Sequence, residues 1–287
     1  MSVSIKKPRA MFKREIRYMI VALLTAAAVA LSADSFAQYY HAGEHLEYRV
    51  SYRAKLFPHT DVATATVDTS LDTLDGRTVY KVFGHGRVMP AFRWFYDLDD
   101  RYTIWVDTAT LRTQQFLSEI HEGSSYEKTS RFRYDWERMQ SDNSWFRRNK
   151  VVHTRTLDLT PQSMDAISLF FNMRGVDDAQ LFDDQSANEG RLEMMLEDTI
   201  RVLKFRFMGR ETKRIGRLGK FRTLKFSCQI GTEDAFSFTD GSEFFIWISD
   251  DRNKVPLWLE SPIRIGSICA RLMSYDNLKY PVESKVK

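Results

Sequence analysis

The sequence holds two cysteines in 287 residues, Cys228 and Cys269. That is too few for a disulfide-stapled scaffold or a thiolate zinc site. There is no Gly-x-Ser-x-Gly nucleophile elbow, no zinc-binding His-Glu motif and no glycine loop to cradle phosphate. The six histidines are scattered. His41 and His45 lie four apart, but in a stretch read as extended, where that spacing shares no helical face. No internal repeat and no low-complexity linker breaks the chain. These absences leave no catalytic residue, no metal ligand and no cofactor to name, and argue against an enzyme.

Net charge is missing too. The chain carries 42 Lys+Arg and 38 Asp+Glu, but residues 1–37 hold six bases and two acids, which leaves 36 of each in the other 250 residues. A neutral domain lacks the basic footprint of a nucleic-acid binder, so no nucleic acid is expected.

The start of the chain has a different character. Lys6, Lys7, Arg9, Lys13, Arg14 and Arg17 precede an apolar run, Tyr18 to Leu31, and Ser35-Phe36-Ala37 offers small residues at a cleavage site. That order is the anatomy of a secretory signal, so residues 1–37 are predicted to be a signal peptide and 38–287 a single all-β domain. The apolar run falls short of the ~20 residues that span a bilayer, and no later segment spans. No cysteine follows it to take a lipid. The expected location is periplasmic or outer-membrane-associated, without a lipid anchor. Export permits a disulfide. Strand phase weighs mildly against one: Cys228 falls with Leu224, Phe226 and Ile230, and Cys269 falls opposite Ile268, Ala270 and Leu272.

The remaining pattern is strand and turn. Leu46, Tyr48, Val50 and Tyr52 alternate within Glu44 to Ala54. Ala63, Ala65, Val67 and Leu71 alternate next, and Asp75-Gly76 reads as a hairpin turn into Thr78 to Gly84. Phe244 to Ile248 is aromatic and β-branched, Ser249 to Lys254 is a polar turn, and Pro256 opens the return. About a dozen such segments predict a curved antiparallel sheet or incomplete β-barrel. One helix is expected at about 161–174. Thr160-Pro161 would open it, Met164, Ile167, Ser168 and Phe171 would form its stripe, and Arg174-Gly175 would close it.

Gly43-Glu44-His45-Leu46-Glu47-Tyr48, Thr160-Pro161 with Asp165-Ala166-Ile167-Ser168 and Arg174, Gly209-Arg210-Glu211-Thr212, Gly219-Lys220-Phe221-Arg222, Trp247-Ile248-Ser249-Asp250-Asp251 with Pro256, and Gly266-Ser267-Ile268 follow in order. Together they resemble domain-of-unknown-function family 3108, found in exported bacterial proteins. The resemblance implies an incomplete barrel with a helix packed in or across it. In outline this is similar to envelope carriers of lipids and lipoproteins. It supplies no catalytic residues. Lys213, Arg214, Arg217 and Lys220 depart from the pattern and make the hairpin after Gly209 unusually basic.

Three groups of residues carry the functional expectations. Phe92, Trp94, Phe95 and Tyr96 crowd near a turn and could line a ligand mouth or plug a core. Lys213, Arg214, Arg217 and Lys220 could meet an anionic partner, or simply be solvated. Asp165, Arg210, Glu211, Asp250 and Asp251 are read as structural, the first three in an ion pair between helix and sheet and the last two in a turn. The expected function is non-enzymatic binding of a lipid, glycolipid or other amphiphile inside the curved sheet beside the helix. The alternative is a structural or adaptor subunit of an envelope assembly.

Overall fold

A computed structural model describes residues 40–54, 57–94, 97–123, 126–165, 167, 168, 171, 174, 189–196, 199–231, 243–262 and 267–287. The predicted signal, residues 1–37, lies outside them. The first eight strands are β1 (His45–Ala54), β2 (Phe57–Leu74), β3 (Arg77–Val88), β4 (Leu98–Asp107), β5 (Thr113–Glu122), β6 (Tyr126–Asp135), β7 (Gln140–Arg147) and β8 (Lys150–Asp158). The rest are β9 (Ser163–Asp165), β10 (Glu189–Leu196), β11 (Thr199–Ile215), β12 (Gly219–Gly231), β13 (Phe244–Ser249), β14 (Pro256–Pro262), β15 (Ser267–Asp276) and β16 (Lys285–Val286).

Two meanders share one sheet. β1 to β8 pair in sequence order, β9 to β15 do the same, and β1 joins β15. All pairs are antiparallel except β9 with β10. The sheet's two ends are β8 and β9, which residues 159–162 alone separate in the chain. Five residue steps reach at most about 18 Å. The sheet must therefore curl until its ends nearly meet, which is the predicted incomplete barrel. β9 does not pair with β8; instead Asp165 of β9 accepts a hydrogen bond from Thr113 at the start of β5.

Curling buries one face of most strands, though not of β8 or β16. Leu46, Tyr48 and Val50 of β1, Ala63, Ala65 and Val67 of β2, Phe205 and Phe207 of β11, Leu224 and Phe226 of β12, and Ile246 and Ile248 of β13 point into one core. The alternation read from sequence holds except at Leu71, which is 56% exposed. Sixteen strands stand among the described residues where about a dozen were expected, and Ser144 to Leu157 falls on two of them, β7 and β8. Arg148 and Asn149 between them have φ of 48° and 61°, so the pair makes a two-residue hairpin with both residues left-handed. Asp75 and Gly76 do the same, as expected.

The helix also differs. Ser163–Asp165 is strand, where its first turn was expected. The described residues beyond it, Ile167, Ser168 and Phe171, are helical. The cap is Asp165, not Thr160: its Oδ1 accepts the backbone N–H groups of Ile167 and Ser168 at 2.8 and 2.9 Å. Pairing Met164 with Met194 of β10 outweighs the helical spacing of the preceding residues.

Cys228 and Cys269 are both buried and free. Cys228 faces the core with Phe226, and Cys269 faces the other way. Three strand steps, about 14 Å, also separate them.

Burial sets the response to alkali. It pushes the phenols of Tyr40, Tyr48 and Tyr134 far above the usual range, Cys228 well up, and Cys269 up to about 11. The unfolded chain releases these protons near pH 9 to 10 while the folded chain keeps them. Their contribution is therefore complete below pH 9 and lost as pH rises, by about 1.4 kcal/mol per proton per pH unit. Lys213 acts oppositely, since desolvation lowers its ammonium, but it is one group against five. Urea midpoints should fall steeply above pH 10. Tyr134→Phe, which loses a hydroxyl that has no partner among the described residues, should keep neutral-pH stability and reduce the alkaline slope by one proton.

Candidate functional site

Three polar networks hold the interior. Arg174 lies 1% exposed. Its Nη2 donates to Glu44 Oε2 at 2.8 Å, its Nη1 to Oε1, and its Nε to the Asn253 carbonyl at 2.9 Å. This is the ion pair that ties the helical segment to the sheet, and it is not the one expected from Arg210, Glu211 and Asp165. Asp165 is buried and bonds to Thr113 and Ser168. Arg210 is exposed, with its Nε 3.9 Å from Asp250 Oδ2. Glu211 accepts the indole N–H of Trp247. The 130-residue separation of Glu44 and Arg174 hid their pairing from the sequence, although both stand in the motifs quoted above.

Asp251 is the turn residue it was read to be. Its Oδ1 accepts Ser249 Oγ and the Asn253 N–H at 2.9 and 3.0 Å, and its Oδ2 accepts the Ser284 N–H and hydroxyl at 3.1 and 2.6 Å. Four donors occupy its lone pairs and leave little for a cation. Among the described residues no three His, Cys, Asp or Glu side chains group as metal ligands.

Among the described residues, aromatic rings pack beside the helical segment, where a ligand was expected. Phe171 is 1% exposed and stacks on Tyr40 at 4.3 Å between centroids, and Tyr40 stacks on Tyr80 at 5.3 Å. Tyr48, Phe205 and Phe207 are buried in the same core, and the Tyr48 hydroxyl donates to the Pro256 carbonyl. A groove of about 320 Å³ lies elsewhere, between the β2–β3 turn and β4 to β6. Arg77, Asp107, Gln115 and Arg133 line it, so its walls suit polar groups rather than an acyl chain.

The aromatic loop between β3 and β4 projects outward. Pro90–Phe92 forms a single 3-10 turn after Met89. Phe92 is half-buried against the core, and Trp94 is 78% exposed, the most exposed large apolar side chain among the described residues. Arg93 lies 3.5 Å from Asp97. Phe95 and Tyr96 lie outside the described residues.

The basic hairpin does not simply stand in solvent. A bulge between Phe207 and Gly209, with Gly209 at φ 116°, bends the far half of β11. That half reaches back over the outer face of the sheet. Lys213 Nζ sits 3.6 Å from the ring centre of Trp247 and 4.9 Å from that of Trp258. Lys225 lies over Trp247 at 5.2 Å, and Arg53 over Trp258 at 4.6 Å. Three cations thus cap two indoles that face each other across β13 and β14. Arg214, Arg217 and Lys220 are exposed, and Lys213 is half-buried.

Comparison with known proteins agrees with this architecture. A family model described as a protein of unknown function, DUF3108, matches residues 47–273. A search of curated proteins finds no match. Among solved structures, the crystal structure of a β-barrel-like protein of domain of unknown function DUF1849 from Brucella abortus is similar, with a TM-score of 0.52 at 11% identity. The match covers 83% of this chain and 99% of that one. At that identity the likeness speaks to fold alone.

Removing one member of the buried pair should leave the other charged and unpaired. Arg174→Met or Glu44→Gln should each cost about 3–5 kcal/mol in urea unfolding. The double substitution Glu44→Leu with Arg174→Met should recover most of that loss.

Proposed function

The chain belongs to the DUF3108 family, a barrel-like fold with no assigned activity, and on that premise we propose that it is an exported, non-enzymatic protein of the cell envelope that binds an amphiphile at its surface. The observation that carries this is Trp94. A tryptophan left 78% exposed on a short loop, beside Arg93 and next to two further aromatics in sequence, is an unusual cost for a free surface. An indole takes its lowest free energy at a boundary between apolar and wet surroundings. Residues 1–37 would direct export. The rings packed beside Phe171 support an external contact in place of an enclosed carrier cavity. The satisfied lone pairs of Asp165 and Asp251 support structural roles for the most suggestive acids.

Binding of the mature protein to phosphatidylcholine vesicles, read by flotation, tests this. Trp94→Ala should weaken it roughly tenfold, the loss of about 1.4 kcal/mol, with the melting temperature unchanged. Equal flotation of both proteins, or none by either, would overturn the reading.

The second reading, an adaptor, draws on β8. Its residues 150–156 are exposed on both faces, Val151 and Val152 at 57% and 55%. Its outer edge has no strand partner among the described residues. An extended segment of a protein partner could add there. Val151→Lys with Val152→Lys should abolish retention of a stoichiometric envelope partner if this reading holds, and leave vesicle binding intact.

A further inference from the structure

Arg49 of β1 stands directly opposite Arg271 of β15, on the face away from the core. Opposed residues in an antiparallel pair have Cβ atoms about 5 Å apart, and like charges placed so destabilise the pair. Among the described residues no carboxylate pairs with either. Arg271 makes no hydrogen bond or ion pair among the described residues. The Nε atoms of Arg49, Arg53 and Arg271 are all buried without an acceptor. Arg49 makes a single side-chain contact, Nη1 to the sulfur of Met89 at 3.6 Å, and a thioether is a weak acceptor. Three carboxylates on this face accept from other donors, Glu211 from the Trp247 indole. Glu47 accepts from Ser274, and Glu260 accepts from Trp258 and Ser267.

The hairpin tip between β11 and β12 stands over the same spot. A Cβ on Gly216 would lie 3.2 Å from Arg271 Nε and 3.3 Å from its Cζ and Nη1. Only a residue without a side chain lets the backbone come that close, and Gly216 also has φ of 49°. Arg217 follows, exposed. In the row across the sheet, Arg271 has Trp258 on one side, and Arg49 is followed by Thr64 and Arg87 on the other. A fold gains nothing by opposing two half-buried guanidiniums with no anion between them, whereas a tetrahedral oxyanion can accept from both.

We infer that Arg49 and Arg271 form the two arms of an oxyanion site, beneath the Gly216-Arg217 tip, that takes a phosphoryl group. This site is built from other residues than the Trp94 loop, and it stands whether or not an amphiphile binds there.

The test is thermal unfolding of the mature protein titrated with inorganic phosphate against chloride at matched ionic strength. Phosphate should raise the melting temperature saturably. Arg271→Gln should melt no lower than wild type without phosphate, because it relieves a like-charge contact, and should bind phosphate about tenfold or more weakly. Should that variant fail to fold, Arg49→Gln reads the same quantity. Lys150→Gln, remote on β8, controls for net charge and should respond as wild type does. Flotation with phosphatidylglycerol vesicles then separates two sources of the phosphoryl group. Weaker flotation of Arg271→Gln than of wild type assigns a lipid headgroup, and equal flotation of the two beside a phosphate response in wild type assigns a soluble phosphate. No phosphate effect beyond chloride in wild type, or an equal effect in Arg271→Gln, would overturn the site.

Discussion

A guanidinium cannot be left inside a protein without an anion, and Arg174 is only 1% exposed. Its needs organise the molecule. Glu44 must be brought in from the chain's entry into β1, and the Asn253 carbonyl from the turn between β13 and β14. Asn253 in turn holds the C-terminal stretch through the carbonyl and N–H of Tyr280, while Asp251 in the same turn holds Ser284. One charge and its neighbours thus join the approach to β1, the turn between β13 and β14 and the C-terminal stretch. The segment that carries Arg174 also brings in Phe171, which completes a stack of rings with Tyr40 and Tyr80.

With rings packed there, the outer face becomes the more informative surface. Between β12 and β1 that face is apolar and cationic together, with two indoles under Lys213, Lys225 and Arg53. The lysine and arginine stems shield the rings from water while the charged ends stay near the surface. Lys213 holds its proton less firmly for this reason, despite Glu211 and Glu260 nearby. Met89 connects this face to the exposed Trp94, since it touches Arg49 and opens the loop that ends in the indole.

The sequence displayed those parts of the fold that depend on neighbours in the chain. Alternation placed Leu46, Tyr48 and Val50 on one face, Asp75-Gly76 announced its turn, and Pro256 marked a strand's first residue. Arg148-Asn149 did not announce its turn, because arginine has no left-handed preference to read and the flanking strands impose the conformation. The stripe of Met164, Ile167 and Phe171 suited a helix throughout, but pairing of Ser163–Asp165 with β10 claimed its first residues. The site was less legible still. The partners Glu44 with Arg174, and Arg49 with Arg271, meet only through the β1–β15 register and the curl of the sheet, neither of which local pattern encodes. The basic residues after Gly209 were visible, but the bulge that folds Lys213 onto Trp247 was not.

The seam between β1 and β15 has a kinetic meaning. It pairs His45 with Asp276 and Arg53 with Ser267, so nearly the whole chain must be available before it can form. Each meander can assemble from local hairpins early, but the edge of β1 stays open until the last long strand arrives. Closing so distant a contact is slow, and an open strand edge is a template for the wrong partner in the meantime. The order of events is therefore built into the topology: two half-sheets first, one late zipper between them, and the Arg174 clasp only after that zipper has closed.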